Sequence, residues 1–333
     1  MNLKLQTQTS KRKLGLSRNI FSVSLVALVA GIHQGADAST LDFRAAAQAT
    51  TGLIHQWGFD GADVATAGRD LEGTTNLAQR YYGNNLGGVI TPIGYDQLGY
   101  DGTSKAFRSN RSAGSDGTGG GYLKAETANP VSALGSTFSF EVIIKPDQAA
   151  ITGGSFNLGY ILSSRSADNN SRGYFLVQGL PPAGATSPLS SIIGGGSSLI
   201  NANTITPSAL TVGDWYYVAG SYTANGTTNV TWTNYYANLT AGGPLVTSGP
   251  FTNSGGTYAM GAAREFGIGG RYDGQEAFPG FIDEVNLYST ALSSSDFQAN
   301  LTQLAVVPEP STVALLSLGL LSLARRRRPA TAV

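Results

Sequence analysis

The sequence predicts an all-β domain in which two antiparallel sheets pack face to face as a sandwich, with one short helix near the end of the domain. Residues 138–145 give the clearest strand pattern, because apolar and polar side chains alternate along them with a period of two. Glycine is abundant, with 44 residues, and turn-forming residues separate the apolar segments. Helical patterns do not alternate with these segments, which favours an antiparallel sandwich over a parallel sheet.

The same patterns predict the individual elements. The predicted strands are residues 53–59, 122–125, 138–145, 160–164, 173–178, 191–194, 198–200, 215–222, 230–236, 267–270 and 280–288. Strand 138–145 carries Phe138, Phe140, Val142 and Ile144 on one face and Ser139, Glu141 and Lys145 on the other. We therefore expect this strand to be half-buried, and we expect Trp215 and Phe281 to be buried on their own strands.

Turn and helix signals complete the outline of the domain. Asn225-Gly226 is the preferred pair for a tight type I′ turn, which predicts a hairpin between strands 215–222 and 230–236. Residues 293–304 are predicted to form the short helix, with Ser293 or Ser294 as its N-cap. Residues 39–50 are predicted to be an Ala-rich leader that forms a helical turn or a loose arm.

Composition excludes several functional classes. The chain has no cysteine and two histidines, so disulfides, thiolate metal sites and His-centred catalysis are disfavoured. Residues 39–306 contain 12 Lys and Arg against 19 Asp and Glu, a net charge of −7. An acidic body lacks the electrostatic footprint of a nucleic-acid-binding protein, so we expect no nucleic acid partner.

The first 38 residues have the three parts of an export signal. Lys11, Arg12, Lys13 and Arg18 form a basic region, and residues 20–32 form an uncharged apolar region. Ala36 and Ala38 match the small-x-small rule of signal peptidase, so Ser39 is the expected mature N-terminus. The alternative is an N-terminal membrane anchor, for which the apolar region is short.

The last 27 residues combine three physical features. Pro308, Glu309 and Pro310 favour an extended backbone that a processing enzyme can reach. The uncharged residues 313–324 follow, and a helix of this length reaches about 18 Å, against about 30 Å for a hydrocarbon core. A run of arginines comes next and favours the cytoplasmic face; it consists of Arg325, Arg326, Arg327 and Arg328.

This three-part tail resembles the PEP-CTERM sorting signal of bacterial exported proteins. The resemblance implies recognition by an exosortase, cleavage near Pro308-Glu309-Pro310, and a bacterium that makes extracellular polysaccharide. It also implies that the tail is a hydrophobic helix held transiently in the inner membrane. The alternative is a weak tail anchor that follows a proline-containing linker.

Three strands point to a second family. Residues 138–147, 214–222 and 280–292 resemble the strands of laminin-G-like, concanavalin A-like lectin/glucanase jelly rolls, and Gly-Phe-Ile-Asp-Glu-Val at 280–285 is the most specific match. The implied organisation is a signal peptide at 1–38, a leader at 39–50 and a jelly-roll domain at 51–300. A linker with the Pro-Glu-Pro motif follows at 301–310, and the hydrophobic and Arg-rich tail occupies 311–333.

The family contains both lectins and glycosidases, so the function has to be argued from the residues. Glycoside hydrolysis needs two carboxylates that flank the sugar bond. Glu141 has no acidic partner on its face, and neighbouring Asp283 and Glu284 are expected to point to opposite faces. The resemblance also implies a calcium ion that ties the first strand to the last, at Asp60 and Asp283. The alternative is an Asx-turn at Asp60 and a buried hydrogen-bond acceptor at Asp283.

Sugar binding calls for aromatic faces beside polar groups. The candidates in loop-like sequence are Tyr81, Tyr82, Tyr95 and Tyr100, with Asn84, Asn85, Asp96 and Asp101, and a second loop with Asp168, Asn169, Asn170 and Arg172. The sequence does not choose among them. The leading hypothesis is an exported, non-enzymatic protein that binds or scaffolds extracellular polysaccharide at the cell surface or in the matrix. The alternative is a glycoside hydrolase or lyase of the same fold.

Overall fold

The computed structural model describes residues 40–61, 64–81, 94–112, 119–125, 136–148, 158–166, 173–179, 187–194, 199–226, 228–254, 264–271 and 276–304. The helices are Thr40–Ala49 (α1), Val64–Ala67 (α2) and Ser294–Gln303 (α3). The first strands are Leu53–Trp57 (β1), Leu77–Tyr81 (β2), Gly94–Leu98 (β3), Lys105–Ser112 (β4), Gly119–Ala125 (β5), Thr137–Pro146 (β6), Gly159–Ser166 (β7) and Gly173–Gln178 (β8). The remaining strands are Pro188–Gly194 (β9), Leu199–Ala209 (β10), Tyr216–Asn225 (β11), Asn229–Asn238 (β12), Val246–Ser254 (β13), Arg264–Ile268 (β14) and Gly280–Tyr288 (β15).

The strands form two antiparallel layers, which confirms the predicted sandwich. Sheet 1 has the order β13-β12-β11-β6-β15, and the other edge of β15 pairs with β4 and then with β1. Sheet 2 has the order β10-β9-β8-β7-β14-β5, and β2 pairs with the outer side of β5. Strand β4 belongs to both layers, because it pairs with β15 and then with β5. Strands that pass between sheets in this way make the corners of a sandwich.

The main core lies between the two sheets. The predicted inward face of β6 is confirmed, since Phe138, Phe140, Val142 and Ile144 all lie in this core. Phe138 stacks on Tyr222 of β11, with ring centroids 4.8 Å apart, and meets Tyr174 of β8 edge-on at 5.7 Å. The regular alternation of β6 therefore seats side chains from one sheet against the other.

The outer face of sheet 1 is also covered, which differs from the half-buried strand that the pattern predicted. Phe43 of α1 and Phe297 of α3 pack on this face and have no exposed surface. Glu141 and Ser139, expected to face outward, are fully buried beneath them. Residues 40–49 are therefore an integral helix of the domain, so of the two predicted alternatives the structure has a helix and not a loose arm. A third layer on sheet 1 explains why both faces of β6 are buried.

The predicted C-terminal helix is confirmed, and its start has the expected chemistry. The Ser293 side chain accepts from the backbone N–H of Asp296, and the Asp296 carboxylate accepts from the Ser293 N–H, which is a capping box. The hairpin between β11 and β12 is confirmed with a longer turn, because Asn225 pairs with Asn229. Gly226 begins that turn with a φ of 73°, a conformation that suits glycine.

None of the helices among the described residues has the length and apolarity needed to cross a membrane. The predicted tail helix, the processing residues Pro308, Glu309 and Pro310, and Arg325, Arg326, Arg327 and Arg328 lie outside the described residues. The predicted signal-cleavage residues Ala36, Ala38 and Ser39 also lie outside them.

Candidate functional site

A group of interacting polar and aromatic side chains lies on the outer face of sheet 1, where β15 begins. It has two adjoining parts. The first, the Arg44 cluster, consists of Arg44, Asp60, Asp101, Asp283 and Glu284. The second, the cation–aromatic row, consists of Arg108, Phe281, Lys145 and Trp215. Tyr100 joins the two parts, because its backbone N–H donates to Asp283 and its ring meets Trp215 edge-on.

A β-bulge in β15 creates the Arg44 cluster. Ile282 and Val285 both point into the main core although they are three residues apart, and the pairing of β15 with β6 shifts between them. In a regular strand they would face opposite sides, so the extra residue of the bulge restores the inward face. Asp283 and Glu284 between them both lie on the outer side, which corrects the expectation that they point to opposite faces.

Arg44 is the cation at the centre of the cluster. Its Nε donates to Glu284 Oε1 at 2.7 Å, its Nη2 donates to the carbonyl of Gly58 at 2.9 Å, and its Nη1 forms an ion pair with Asp60. Burial works to lower the pKa of Arg44, but the attraction of Glu284 and Asp60 outweighs it, so the pKa is raised. A Cβ at Gly58 would collide with the guanidinium, so the glycine after β1 makes room for this contact.

Asp283 accepts from neutral donors, whereas its neighbour Glu284 binds the Arg44 cation. Its Oδ2 accepts from the backbone N–H of Tyr100 at 2.6 Å and from Ser104 Oγ at 3.4 Å. Its Oδ1 is buried without a hydrogen-bond partner among the described residues, and so is Oε2 of Glu284. Burial raises the pKa of Asp283 to about 7, against the opposing effects of the Tyr100 N–H and Arg44. The protonated carboxyl is therefore favoured in the folded protein at acidic pH.

Asp101 closes the cluster on the side of α1. Its Oδ1 accepts from the backbone N–H groups of Thr103 and Ser104, and its Oδ2 accepts from the N–H of Thr40. Burial tends to raise the pKa of Asp101, but these hydrogen bonds outweigh burial and lower it. Asp101 is therefore an ionised carboxylate that ties the start of α1 to the loop between β3 and β4.

The two predicted calcium ligands lie on this cluster, where they interact electrostatically. Asp60 uses one oxygen for the ion pair with Arg44 and the other to accept from the Lys105 N–H at 2.6 Å. In the described part of the chain, no group of three or more His, Asp or Glu side chains is arranged to hold a metal ion. The unpaired Oδ1 of Asp283 is available to an ion. Asp60 would first have to release Arg44 before it could bind the same ion. Calcium at Asp60 and Asp283 stays a prediction.

The cation–aromatic row follows from strand register. Phe281 of β15 pairs with Arg108 of β4 on one side and with Lys145 of β6 on the other. Lys145 Nζ lies 4.3 Å from the ring centroid of Phe281 and 4.6 Å from that of Trp215, which precedes β11. Arg108 Cζ lies 5.5 Å from the Phe281 centroid. The row thus alternates cation, ring, cation and ring across the strands.

The exposure of the row differs along its length. Trp215 is buried as predicted, whereas Phe281, predicted to be buried, is partly buried against the outer cluster. The Arg108 side chain is 44% exposed and donates from Nε and Nη2 to Asp147 Oδ2, at 3.1 and 2.9 Å. Burial lowers the pKa of Lys145, and the charges of Asp147 and Asp283 partly oppose this effect. Arg108 is exposed and Lys145 and Phe281 are partly buried, so the row opens to solvent at its Arg108 end.

Of the predicted sugar-binding residues, Tyr100 meets Trp215 of this row, and Asp101 lies in the adjoining Arg44 cluster. The side chains of Tyr81, Tyr95 and Asp96 lie outside the described part, as do Tyr82, Asn84 and Asn85 and the loop with Asp168, Asn169, Asn170 and Arg172. Sequence reasoning missed Arg108, Lys145 and Phe281 as a group, because their proximity depends on the pairing of β4, β15 and β6.

The buried carboxylates of sheet 1 are held by structural partners. Glu141 accepts from the hydroxyls of Tyr217 and Tyr288, each at 2.5 Å, and from the Asn300 amide at 3.1 Å. Glu141, Asp283 and Glu284 have no exposed surface, so a glycan cannot contact them in this structure. His55, the histidine of the body, is engaged with Asp70, its Nδ1 lying 2.6 Å from Oδ2.

Sequence comparison matches two regions of the chain, one in the β domain and one in the C-terminal tail, to family models. The chain belongs to the concanavalin A-like lectin/glucanases superfamily, whose family model matches residues 116–298. A model of the PEP-CTERM protein-sorting motif matches residues 306–328. This motif implies an exported, surface-targeted protein that an exosortase processes. No curated protein matches the chain significantly in sequence.

Solved structures that are similar to this chain have low sequence identity to it. Domain 4 of AbnA, a GH43 extracellular arabinanase from Geobacillus stearothermophilus, in complex with arabinotriose, is 16% identical, with a TM-score of 0.45 over 75% of this chain and 97% of that chain. The binding domain of botulinum neurotoxin DC, in complex with SialylT, is 13% identical, with a TM-score of 0.46 over 76% of this chain and 52% of that chain. Trypanosoma rangeli sialidase is 13% identical, with a TM-score of 0.46 over 77% of this chain and 34% of that chain.

Proposed function

We propose that this protein is a non-enzymatic surface protein that binds or scaffolds extracellular polysaccharide through its jelly-roll domain. Signal peptidase would remove residues 1–38, and the tail would hold the protein in the inner membrane until an exosortase processes it. The mature protein would then act at the cell surface or in the extracellular matrix. The family, which groups lectins with glucanases, and the sorting motif support this proposal.

The cation–aromatic row is the observation that carries the proposal. Protein surfaces recognise sugars with aromatic faces flanked by polar groups that fix the orientation of the ring. Phe281 presents a partly buried ring that both Lys145 and Arg108 contact with their cations, and Asp147 adds a carboxylate acceptor next to Arg108. These side chains project from neighbouring strands of one sheet, so the backbone fixes their spacing.

The rival function is hydrolysis or elimination of a glycan by the same fold. Either reaction needs acid and base groups that contact the sugar. Two carboxylates of the site, Asp283 and Glu284, have no exposed surface, and Glu284 is bound to Arg44. The more exposed carboxylates are also engaged, because Asp147 beside the row is bound to Arg108 and Asp60 forms an ion pair with Arg44. This arrangement supports binding over catalysis.

A pair of assays on the exported protein tests the proposal. A glycan array measures binding, while reducing-sugar and unsaturated-uronate assays on the bound polymers measure hydrolysis and elimination. We expect retention on polysaccharide without new reducing ends, and weaker retention for Phe281→Leu at an unchanged melting temperature. Trp57→Phe, a substitution in the main core, serves as a control that keeps the row intact. Turnover of a bound polymer would contradict the proposal and support the enzyme.

A further inference from the structure

We infer that the cation–aromatic row selects acidic polysaccharides, with Arg108 and Lys145 contacting acidic groups on two sugars and Phe281 lying beneath the chain between them. This inference rests on the proposed function, because it names the class of glycan that the same surface binds. Its support comes from the spacing of the cations, their charge state and the surroundings of the row.

The spacing follows from the sheet. Arg108, Phe281 and Lys145 are register partners on three adjacent strands, so they form a line perpendicular to the strands. Neighbouring strands lie about 4.8 Å apart, which separates the two cation positions by about 10 Å. This distance is similar to the repeat of two sugars in an extended polysaccharide. A polymer with an acidic group on alternate sugars can therefore place one group at each cation.

Arg108 and Lys145 can each still bind an anion. Asp147 takes two of the five N–H donors of the Arg108 guanidinium, and the side chain is 44% exposed. Among the described residues, no carboxylate forms a salt bridge with Lys145, whose ammonium group rests between the rings of Phe281 and Trp215. Half-burial of this ammonium limits its hydration, so a ligand anion replaces less water there.

The surroundings favour a glycan over other anionic partners. The body is acidic, with a net charge of −7 over residues 39–306, so it repels every polyanion at long range, and an anionic ligand has to be held by local contacts at the row. Trp215 is buried and Phe281 is partly buried, so the row projects no large apolar side chain that could enter a bilayer. A hydrated acidic polymer fits these surroundings, because it contacts the row locally and does not need an apolar side chain to insert into it.

Binding of a matched polymer pair tests the inference. The probes are polygalacturonate and its fully methyl-esterified form, which has the same sugars without the charges. The exported protein should bind polygalacturonate at least about tenfold more tightly, as expected for about 1.4 kcal/mol from one ionic contact. Lys145→Gln and Arg108→Gln should each remove most of this preference, and Lys145→Arg should retain it. Lys124→Gln in sheet 2 and Arg69→Gln are the controls, and melting temperatures confirm folding of every variant.

The outcomes separate this inference from the function on which it rests. Equal affinity for the charged and esterified polymers would overturn the inference and leave glycan binding intact. Failure to bind any polysaccharide would contradict the proposed function itself. Vesicles that contain phosphatidylglycerol are the third probe. Binding to these vesicles that depends on Lys145 and Arg108, without binding to polygalacturonate, would assign the row to a membrane and overturn the inference.

Discussion

Arg44, near the start of the domain, binds Glu284 in its last strand, with Arg44 Nε 2.7 Å from Glu284 Oε1. Glu284 is completely buried, and Arg44 also pairs with Asp60 after β1. Arg44 therefore neutralises two carboxylates: Asp60, which follows β1, and Glu284, which lies in the bulge of β15. This contact makes α1 part of the fold, because its loss would leave a buried charge unpaired.

Replacing Arg44 by Met should destabilise the domain by about 3–5 kcal/mol, the usual cost of breaking a buried ion pair by removal of one partner. The physical reason is that Glu284 would lose its cation in a site without solvent. Urea unfolding at neutral pH measures the change. The double variant with Glu284→Gln should recover part of the loss. A cost below about 1 kcal/mol for Arg44→Met would show that the pair is not essential to α1.

Stability should depend on pH through Asp283. Burial raises the pKa of Asp283 from 3.8 to about 7, so the folded protein binds this proton more tightly than the unfolded chain. The contribution of the carboxyl to folding is present at low pH and is lost as the pH rises from about 4 to about 7, by as much as about 4 kcal/mol. Asp283→Asn removes the titration.

The measurement is the difference in unfolding free energy between Asp283→Asn and the natural protein at pH 4, 6 and 8. Other groups titrate in both proteins, so their effects largely cancel in this difference. As the pH rises, Asp283→Asn should become more stable relative to the natural protein. A difference that stays constant from pH 4 to pH 8 would mean that Asp283 is ionised throughout this range.

Much of the sandwich follows from the sequence, and the reason is local. The inward face of β6 is fixed by strict alternation from Phe138 to Ile144, and α3 is fixed by the capping pair Ser293 and Asp296. The closing segment 280–288 was predicted as a strand and is β15. Each of these signals lies within about ten neighbouring residues, where period and capping chemistry act directly.

The candidate site was less predictable because it depends on distant pairing. Arg44 meets Glu284 across 240 positions of sequence, and nothing local to the Ala-rich leader indicated a cation with buried partners. The bulge that turns Asp283 outward beside Glu284 appears only when β15 is paired with β6. A weak signal existed in the spacing of Phe43 and Ala47, which lie one helical turn apart and are both buried.

Calcium should act on the same titrating group. If an ion binds Asp283 with Asp60, it must favour the ionised carboxylate and should offset the loss of stability above pH 7. After treatment with EGTA, titration of calcium at pH 8 should raise the melting temperature of the natural protein and leave Asp283→Asn unchanged. Magnesium is the control for ionic strength. No shift in the natural protein would contradict the calcium prediction and leave Arg44 as the cation of the site.

Glu141 should hold α3 onto sheet 1. Burial raises the pKa of Glu141, and hydrogen bonds from Tyr217, Tyr288 and Asn300 oppose this effect. Glu141→Gln places an amide N–H group against these donors and should cost about 1–3 kcal/mol. Native-state hydrogen exchange should show faster opening of α3 in this variant. Gln298→Ala, on the exposed side of α3, is the matched control. Equal protection in both variants would show that Glu141 does not anchor the helix.

Processing of the two ends should be visible in the exported protein. The Pro-Glu-Pro segment is expected to be extended, and each of the four arginines after the apolar run would cost about 2.5–3.5 kcal/mol to move into hydrocarbon, so they act as a stop. Mass spectrometry of the extracellular form should therefore find an N-terminus at or near Ser39 and a C-terminus before Val313. Replacing Pro308, Glu309 and Pro310 by alanine should leave the full tail in the membrane fraction. Extracellular protein from the natural gene that still carries Arg325 to Arg328 would contradict exosortase processing and favour a plain anchor or plain secretion.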